Sequence, residues 1–132
     1  MHKIAAALFF VSLSTFTNHN VFANASEIID PRQGETVKKI CFASAINGWR
    51  EVSGQRHAVI VSKGVNEEYK LELFGICDVS QAISSLGVST RGSSCLTRGD
   101  NIIVKNTFYG SEKCSIRQIY EWNENQKDTQ DQ

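Results

Sequence analysis

The sequence predicts a small, mostly β domain with one short helix (a small α+β fold). Five or six short strands are expected to form a small barrel or a curled antiparallel sheet, and the domain is expected to contain two disulfides. Three observations predict this class: short β-branched runs between polar turns, an apolar–polar alternation within residues 69–74, and an even number of cysteines. The 132 residues allow one domain and little more, and 41% apolar with 21% charged residues is a globular composition.

The first 25 residues have the pattern of a secretory signal. His2 and Lys3 precede an apolar run at residues 4–13, and small residues at Ala23 and Ala25 predict cleavage after Ala25. The alternatives are an uncleaved anchor or a buried helix, but a bilayer span needs about 20 residues. We therefore expect an exported protein, periplasmic or extracellular, with no transmembrane segment in the mature chain.

The mature chain is expected to hold one domain. Residues 26–36 form a flexible entry segment, residues 37–122 form the disulfide-stabilised domain, and residues 123–132, which lack apolar side chains, form a disordered polar tail. The full chain has 14 basic and 14 acidic residues, and only Lys3 leaves with the signal, so the mature charge is 13 − 14 = −1. This balance argues against a nucleic-acid partner, because phosphate binding needs an excess of Lys and Arg.

The four cysteines all follow the signal and predict two disulfides. Their separations of 36, 18 and 19 residues include no Cys-x-x-Cys pair, which disfavours a thiol–disulfide carrier and a zinc site. His57 is the single mature histidine, too few for a local Cys/His cluster. We therefore expect no metal and no cofactor.

Three disulfide connectivities are possible, and an internal echo favours one of them. Residues 41–49 and 114–122 share the pattern Cys-x4-Ile-x2-Trp, and two such segments lying side by side would bring their cysteines together. The expected pairs are then Cys41–Cys114 and Cys77–Cys95. The alternative is that the echo is a coincidence of three residues.

Local patterns predict the elements in chain order. Residues 37–49 fit either a strand or a short helix, residues 57–62 and 69–74 form a hairpin, and residues 88–90, 101–105 and 115–122 form further strands. In the hairpin Tyr69, Leu71 and Leu73 are expected to point inward, with Lys70 and Glu72 outward. The helix is expected to begin at Asp78 and end at Gly87.

The order of these motifs resembles a family of small exported bacterial four-cysteine proteins, catalogued as a domain of unknown function. The resemblance covers residues 39–122. It implies a periplasmic or extracellular setting and supplies no catalytic residues. The matching positions are Cys41, Ile46, residues 59–61, residues 69–73, Cys77, Cys95, residues 99–102 and residues 114–116.

Four side chains are candidates for binding. Arg91 and Arg98 stand in two Thr-Arg-Gly repeats that bracket Cys95, where guanidinium and backbone N–H groups can hold an anion. The alternative is two tight turns with solvated arginines. Trp49 and Trp122 are candidates for an apolar groove, with burial in the core as the alternative.

No catalytic constellation is evident, since nucleophile-elbow, phosphate-loop and paired-histidine motifs are absent from the sequence. We therefore expect a non-enzymatic protein that binds a protein, peptide or envelope component through an exposed sheet edge or an aromatic patch. The alternative is a small hydrolase or an enzyme inhibitor in which His57 works with Asp100 or Asp78.

Overall fold

The computed structural model describes residues 29–75, 77–81, 85–106 and 110–129. The predicted signal segment therefore lies outside the described residues. The described helices are three short 3-10 segments, Ala43–Ala45, Val79–Gln81 and Glu124–Thr129. The nine described strands are β1 Gln33–Thr36, β2 Lys39–Cys41, β3 Ile46–Val52, β4 Gln55–Lys63, β5 Glu67–Leu73, β6 Ser85–Ser89, β7 Cys95–Thr97, β8 Asn101–Asn106 and β9 Gly110–Trp122.

The main sheet is antiparallel and curls into a half-barrel, which confirms the predicted class of a curled β domain. Its strands run in the order β3-β4-β5-β9-β8-β6. The long strand β9 pairs with β8 through its first half and with β5 through its second half, and β1 pairs beside the end of β9. Strands β2 and β7 form a separate two-stranded sheet. This order leaves β3 and β6 at the two ends of the curled sheet.

The predicted hairpin is confirmed as strands β4 and β5, which pair from Ala58 opposite Glu72 to Lys63 opposite Glu67. Gly64 has φ of 64° in the connecting turn, a conformation that favours glycine. Leu71 is fully buried on the inner face, as alternation requires.

Lys70 points away from the main core, as predicted, but it is not exposed to solvent. Its side chain does lie on the opposite face from Leu71, but the residue is only 3% exposed. Strand β1 and Tyr120 of the neighbouring strand β9 cover it, an arrangement that a single-strand pattern does not reveal.

Both faces of the sheet bury apolar side chains. A small cluster of Val52, Ala58, Ile60 and Trp122 lies apart from the main core. The main core is on the inner face, where the β2–β7 sheet adds Ile40 and Leu96. Its buried residues are Ile40, Ala43, Val59, Val61, Leu71, Leu73, Cys77, Val79, Leu96, Ile102, Val104, Cys114, Ile116 and Ile119.

The predicted helix from Asp78 to Gly87 is not observed. Asp78 does accept a hydrogen bond from the Ser80 backbone N–H at 3.0 Å, but the turn it caps is the 3-10 segment Val79–Gln81. Residues 82–84 lie outside the described part. Leu86 and Gly87 belong to β6, opposite Val104 and Ile103 of β8. A strand forms here instead of a helix because β8 offers backbone hydrogen-bond partners and places an apolar residue beside Leu86.

The two disulfides are present, but the expected pairing is wrong: the bonds are Cys41–Cys95 and Cys77–Cys114. Cys41 lies directly opposite Cys95 in the β2–β7 ladder. Cys77 follows β5, whose other neighbour is β9, the strand that carries Cys114. The echoed segments are not neighbours, because β3 pairs with β4 while β9 lies between β5 and β8.

The structure also differs from the expected ends of the domain. Residues 33–36 of the entry segment form β1 on β9, and the Asn123 N–H donates to the Arg32 carbonyl at 2.9 Å. The segment Glu124–Thr129 is a 3-10 helix rather than a disordered tail. No described helix reaches the length and apolarity needed to cross a membrane.

Candidate functional site

The open side of the half-barrel is the candidate site, which we call the seam. Among the described residues, β3 pairs only with β4 and β6 pairs only with β8, so each has one unpaired backbone edge. Both strands line one opening of about 620 Å³. The remaining lining comes from the 3-10 segment Ala43–Ala45 and from the loop between β6 and β7.

The seam is apolar inside and polar at its rim. Four partly buried side chains pack on the main core and also line the opening: Ile46, Trp49, Leu86 and Val88. The hydroxyl-bearing residues Thr90, Ser93 and Ser94 lie at the rim. Apolar contact area next to unpaired backbone donors and acceptors is the combination that an added β-strand requires.

Phe42 stands beside this rim in an unusual conformation. It has φ of 56°, in the left-handed region, and is 69% exposed. The next residue, Ala43, donates its N–H to the Ser94 carbonyl at 2.8 Å, and Cys41 is bonded to Cys95, so the segment is held on both sides. Strained conformations held by their surroundings are common at binding sites. Nothing in the local sequence signals this exposure.

The two tryptophans proposed for one groove do not meet. Trp49 lines the seam and touches the main core. Trp122 is 6% exposed and belongs to the separate small cluster with Val52, Ala58 and Ile60. Trp122 is therefore a buried residue, whereas Trp49 borders an opening.

Trp122 is enclosed by a group of charges that we call the clamp. The Arg32 guanidinium lies 4.7 Å from the ring centroid, and the indole Nε1–H donates to the Glu124 carboxylate at 2.8 Å. Glu124 also accepts from Arg32 at 2.9 Å and from Arg50 at 2.6 Å. These hydrogen bonds, that of Trp122 foremost, lower the pKa of Glu124 to about 2. The hydrogen bond from Arg32 likewise lowers the pKa of Asp30 to about 2.

The two Thr-Arg-Gly repeats meet around a buried carboxylate. Asp100 is 2% exposed and accepts from Arg91 Nε at 3.0 Å and from the Thr97 N–H at 2.7 Å. Arg91 also donates to the Arg98 carbonyl at 3.1 Å. Burial alone would raise the pKa of Asp100, but these hydrogen bonds outweigh it and the pKa is lowered. The anion held by this loop is therefore the protein's own carboxylate.

His57 does not pair with either carboxylate proposed for it. Its Nδ1 lies 2.6 Å from the Cys77 carbonyl oxygen, which can only accept, so Nδ1 carries the proton. Asp100 is bound to Arg91 and Thr97, and Asp78 is bound to the backbone and hydroxyl of Ser80. In the described ranges, no group of three or more His, Cys, Asp or Glu side chains is arranged to hold a metal ion.

Comparison with known proteins yields a match to a family model. No curated protein and no solved structure matches the chain. The model is that of a family of unknown function (DUF6491), and it matches residues 1–132. It agrees with the resemblance seen in the cysteine and strand motifs. The chain belongs to this family of unknown function, DUF6491.

Proposed function

We propose that the protein is an exported, non-enzymatic domain that binds an extended peptide segment of an envelope or secreted protein at the seam. The observation that carries the proposal is that two strand edges of one sheet, each without a pairing strand among the described residues, border the same apolar opening. A peptide strand placed there pairs with an edge through its backbone and directs alternate side chains inward.

The side chains at the seam favour an alternating peptide. The inward residues of the added strand would lie against Trp49, Ile46 and Val88, so small or medium apolar side chains fit there. The outward residues would face the hydroxyls of Ser93 and Ser94 and solvent. We expect at least five residues in the peptide, because β3 and β6 have seven and five residues.

An exported location is consistent with the two disulfides. Disulfides persist outside the cytosol and are rare within it. All four cysteines are bonded, and Cys114 and Cys77 are buried. Together with the predicted signal at residues 1–25, this supports a periplasmic or extracellular protein whose cysteines are structural.

The test begins with an eight-residue peptide that alternates apolar and polar residues, selected by display on the oxidised protein. Each backbone amide of that peptide is then N-methylated in turn, and affinity is measured by fluorescence anisotropy. Strand addition predicts a two-residue period: methylation at one set of alternate positions abolishes binding and at the other is tolerated. A flat profile would contradict the proposal.

Protein variants locate the binding. Val88→Lys places a charge in the seam and should abolish binding, as lysines protect natural sheet edges. Val65→Lys is the matched control, because Val65 is 96% exposed in the β4–β5 turn, away from the seam. Equal binding by both variants would place the peptide elsewhere.

A further inference from the structure

A second concavity lies on the opposite face of the sheet, and a buried cation forms part of its lining. This groove has a volume of about 810 Å³, within the range of small-molecule sites. It runs between residues 29–33, the start of β4, the second half of β5 and the second half of β9. It shares no lining residue with the seam.

Lys70 is the unusual member of this groove. The residue is 3% exposed, and a buried ammonium normally has hydrogen-bond partners for its three donors. Among the described residues, Gln33 Oε1 lies at 2.7 Å and Glu72 Oε1 at 3.4 Å, longer than an ordinary hydrogen bond. The Tyr120 ring lies 5.8 Å from Nζ. Counting the contacts of the described residues, the Lys70 ammonium can therefore donate to one more oxygen.

The charges of the groove favour an anion. Its lining carries three cationic residues, Arg56, Lys70 and Arg117, against Asp30 and Glu72, which gives 3 − 2 = +1 with His57 neutral. Asp30 is further neutralised by its two hydrogen bonds from the Arg32 side chain, at 2.9 and 2.7 Å. Glu72 forms ion pairs with both Lys70 and Arg117. The distance from its Oε2 to the Arg117 guanidinium is 2.8 Å.

Apolar surface lies next to these cations. Ile29 is 67% exposed and lines the groove together with Ala58 and Tyr120. An exposed isoleucine beside a buried ammonium suits a ligand with an apolar body and an anionic head. We propose that the groove binds a small amphipathic carboxylate, with its carboxylate at Lys70 and Arg117 and its chain against Ile29 and Tyr120.

Decanoate is the probe, titrated below its micellar concentration and followed by the backbone amide signals of Leu73 and Tyr120 in ¹H–¹⁵N spectra. 1-Decanol and decyltrimethylammonium have the same chain without the anion. We expect both to bind at least about tenfold more weakly than decanoate, since a charge-assisted hydrogen bond is lost. Equal binding of the three, or no shifts with millimolar decanoate, would overturn the proposal.

Three substitutions assign the roles. Lys70→Met should weaken decanoate at least about tenfold, and Glu72→Gln should strengthen it because the internal competitor for Lys70 and Arg117 is removed. Lys113→Met is the control: Lys113 is exposed on β9 outside the groove, and its loss should leave affinity unchanged. Unchanged affinity in a folded Lys70→Met protein would overturn the proposal.

A variant at the surface covers the case in which Lys70→Met does not fold. Ile29→Glu changes an exposed wall residue and adds a negative charge beside the proposed chain position. Decanoate affinity should fall at least about tenfold while the seam peptide binds as before. Retained decanoate affinity in this variant would also overturn the assignment.

Discussion

The surroundings of Trp49 and Trp122 differ although the two residues end the same sequence pattern. Trp122 is enclosed by the clamp, where Arg32 covers the ring and Glu124 accepts from its Nε1–H. Trp49 lines an opening between two strand edges that pair with no other strand in the described part of the chain. The difference comes from strand position: β9 lies inside the sheet between β5 and β8, and β3 lies at its end. Burial of an aromatic residue is thus decided by the neighbours of its strand.

Removal of a disulfide has the largest expected effect on stability. The two disulfides are expected to differ in their effect on peptide binding at the seam. Each bridge spans 54 or 37 residues, and on the loop-entropy model its removal costs about 4 kcal/mol of unfolding free energy. Replacing Cys41 and Cys95 by serine should also weaken the seam peptide, because that bridge holds the rim beside Ala43. Replacing Cys77 and Cys114 should lower stability by a similar amount with little change in peptide affinity.

Urea denaturation and fluorescence anisotropy measure these two quantities on the same samples. The comparison fails if loss of Cys77–Cys114 weakens the peptide as much as loss of Cys41–Cys95. Equal effects would mean that peptide binding at the seam depends on the stability of the whole domain rather than on the Cys41–Cys95 bridge beside it.

The tryptophans give the next effect. Trp122→Ala should lower the free energy of unfolding by about 3 kcal/mol. The substitution removes an indole that is only 6% exposed, together with its contacts to Arg32 and Glu124. Trp49→Ala should cost less than half of this, because its ring already faces an opening, but it should weaken the seam peptide strongly. Urea midpoints at constant slope measure the stability change. Equal costs for the two variants would contradict the contrast between clamp and seam.

The smallest expected effect is the pH dependence of the clamp. The pKa values of Glu124 and Asp30 are about 2 in the folded protein, below their ordinary values of 4.5 and 3.8. The unfolded chain therefore binds protons first, so the stabilisation is complete above about pH 5 and is lost as pH falls toward 2. Because solvent screens this half-exposed group, we expect Glu124 to contribute less than about 1 kcal/mol.

Trp122 reports directly on this titration through its hydrogen bond to Glu124. In a Trp49→Phe background, its fluorescence during urea unfolding gives the stability at each pH. Glu124→Gln should reduce the loss of stability between pH 5 and pH 2. An unchanged loss would show that Glu124 does not contribute to the acid sensitivity.

The hairpin was predictable because its information is local. Alternation in residues 69–74 and the β-branched run before it select two strands, and the glycine turn joins them in register. The strand at residues 101–105 is confirmed for the same reason, as Asn101–Asn106. These segments need no distant partner to choose their conformation.

The helix prediction failed where local and distant preferences disagreed. Asp78 formed its expected local hydrogen bond, but Leu86 pairs opposite Val104 in the sheet. The same limit applies to Lys70, whose burial depends on β1 and β9 from distant parts of the chain. For Arg91, the Thr-Arg-Gly repeat predicted an anion-binding loop, and the structure shows that Arg91 donates to Asp100 of the same chain.

The sequence by itself determined a disulfide-stabilised β domain, because strand periodicity and cysteine number are properties of the chain. Tertiary structure alone decided which cysteines meet, which tryptophan is enclosed, and where the half-barrel stays open. Those outcomes depend on strand order, and strand order is set by contacts between residues far apart in sequence.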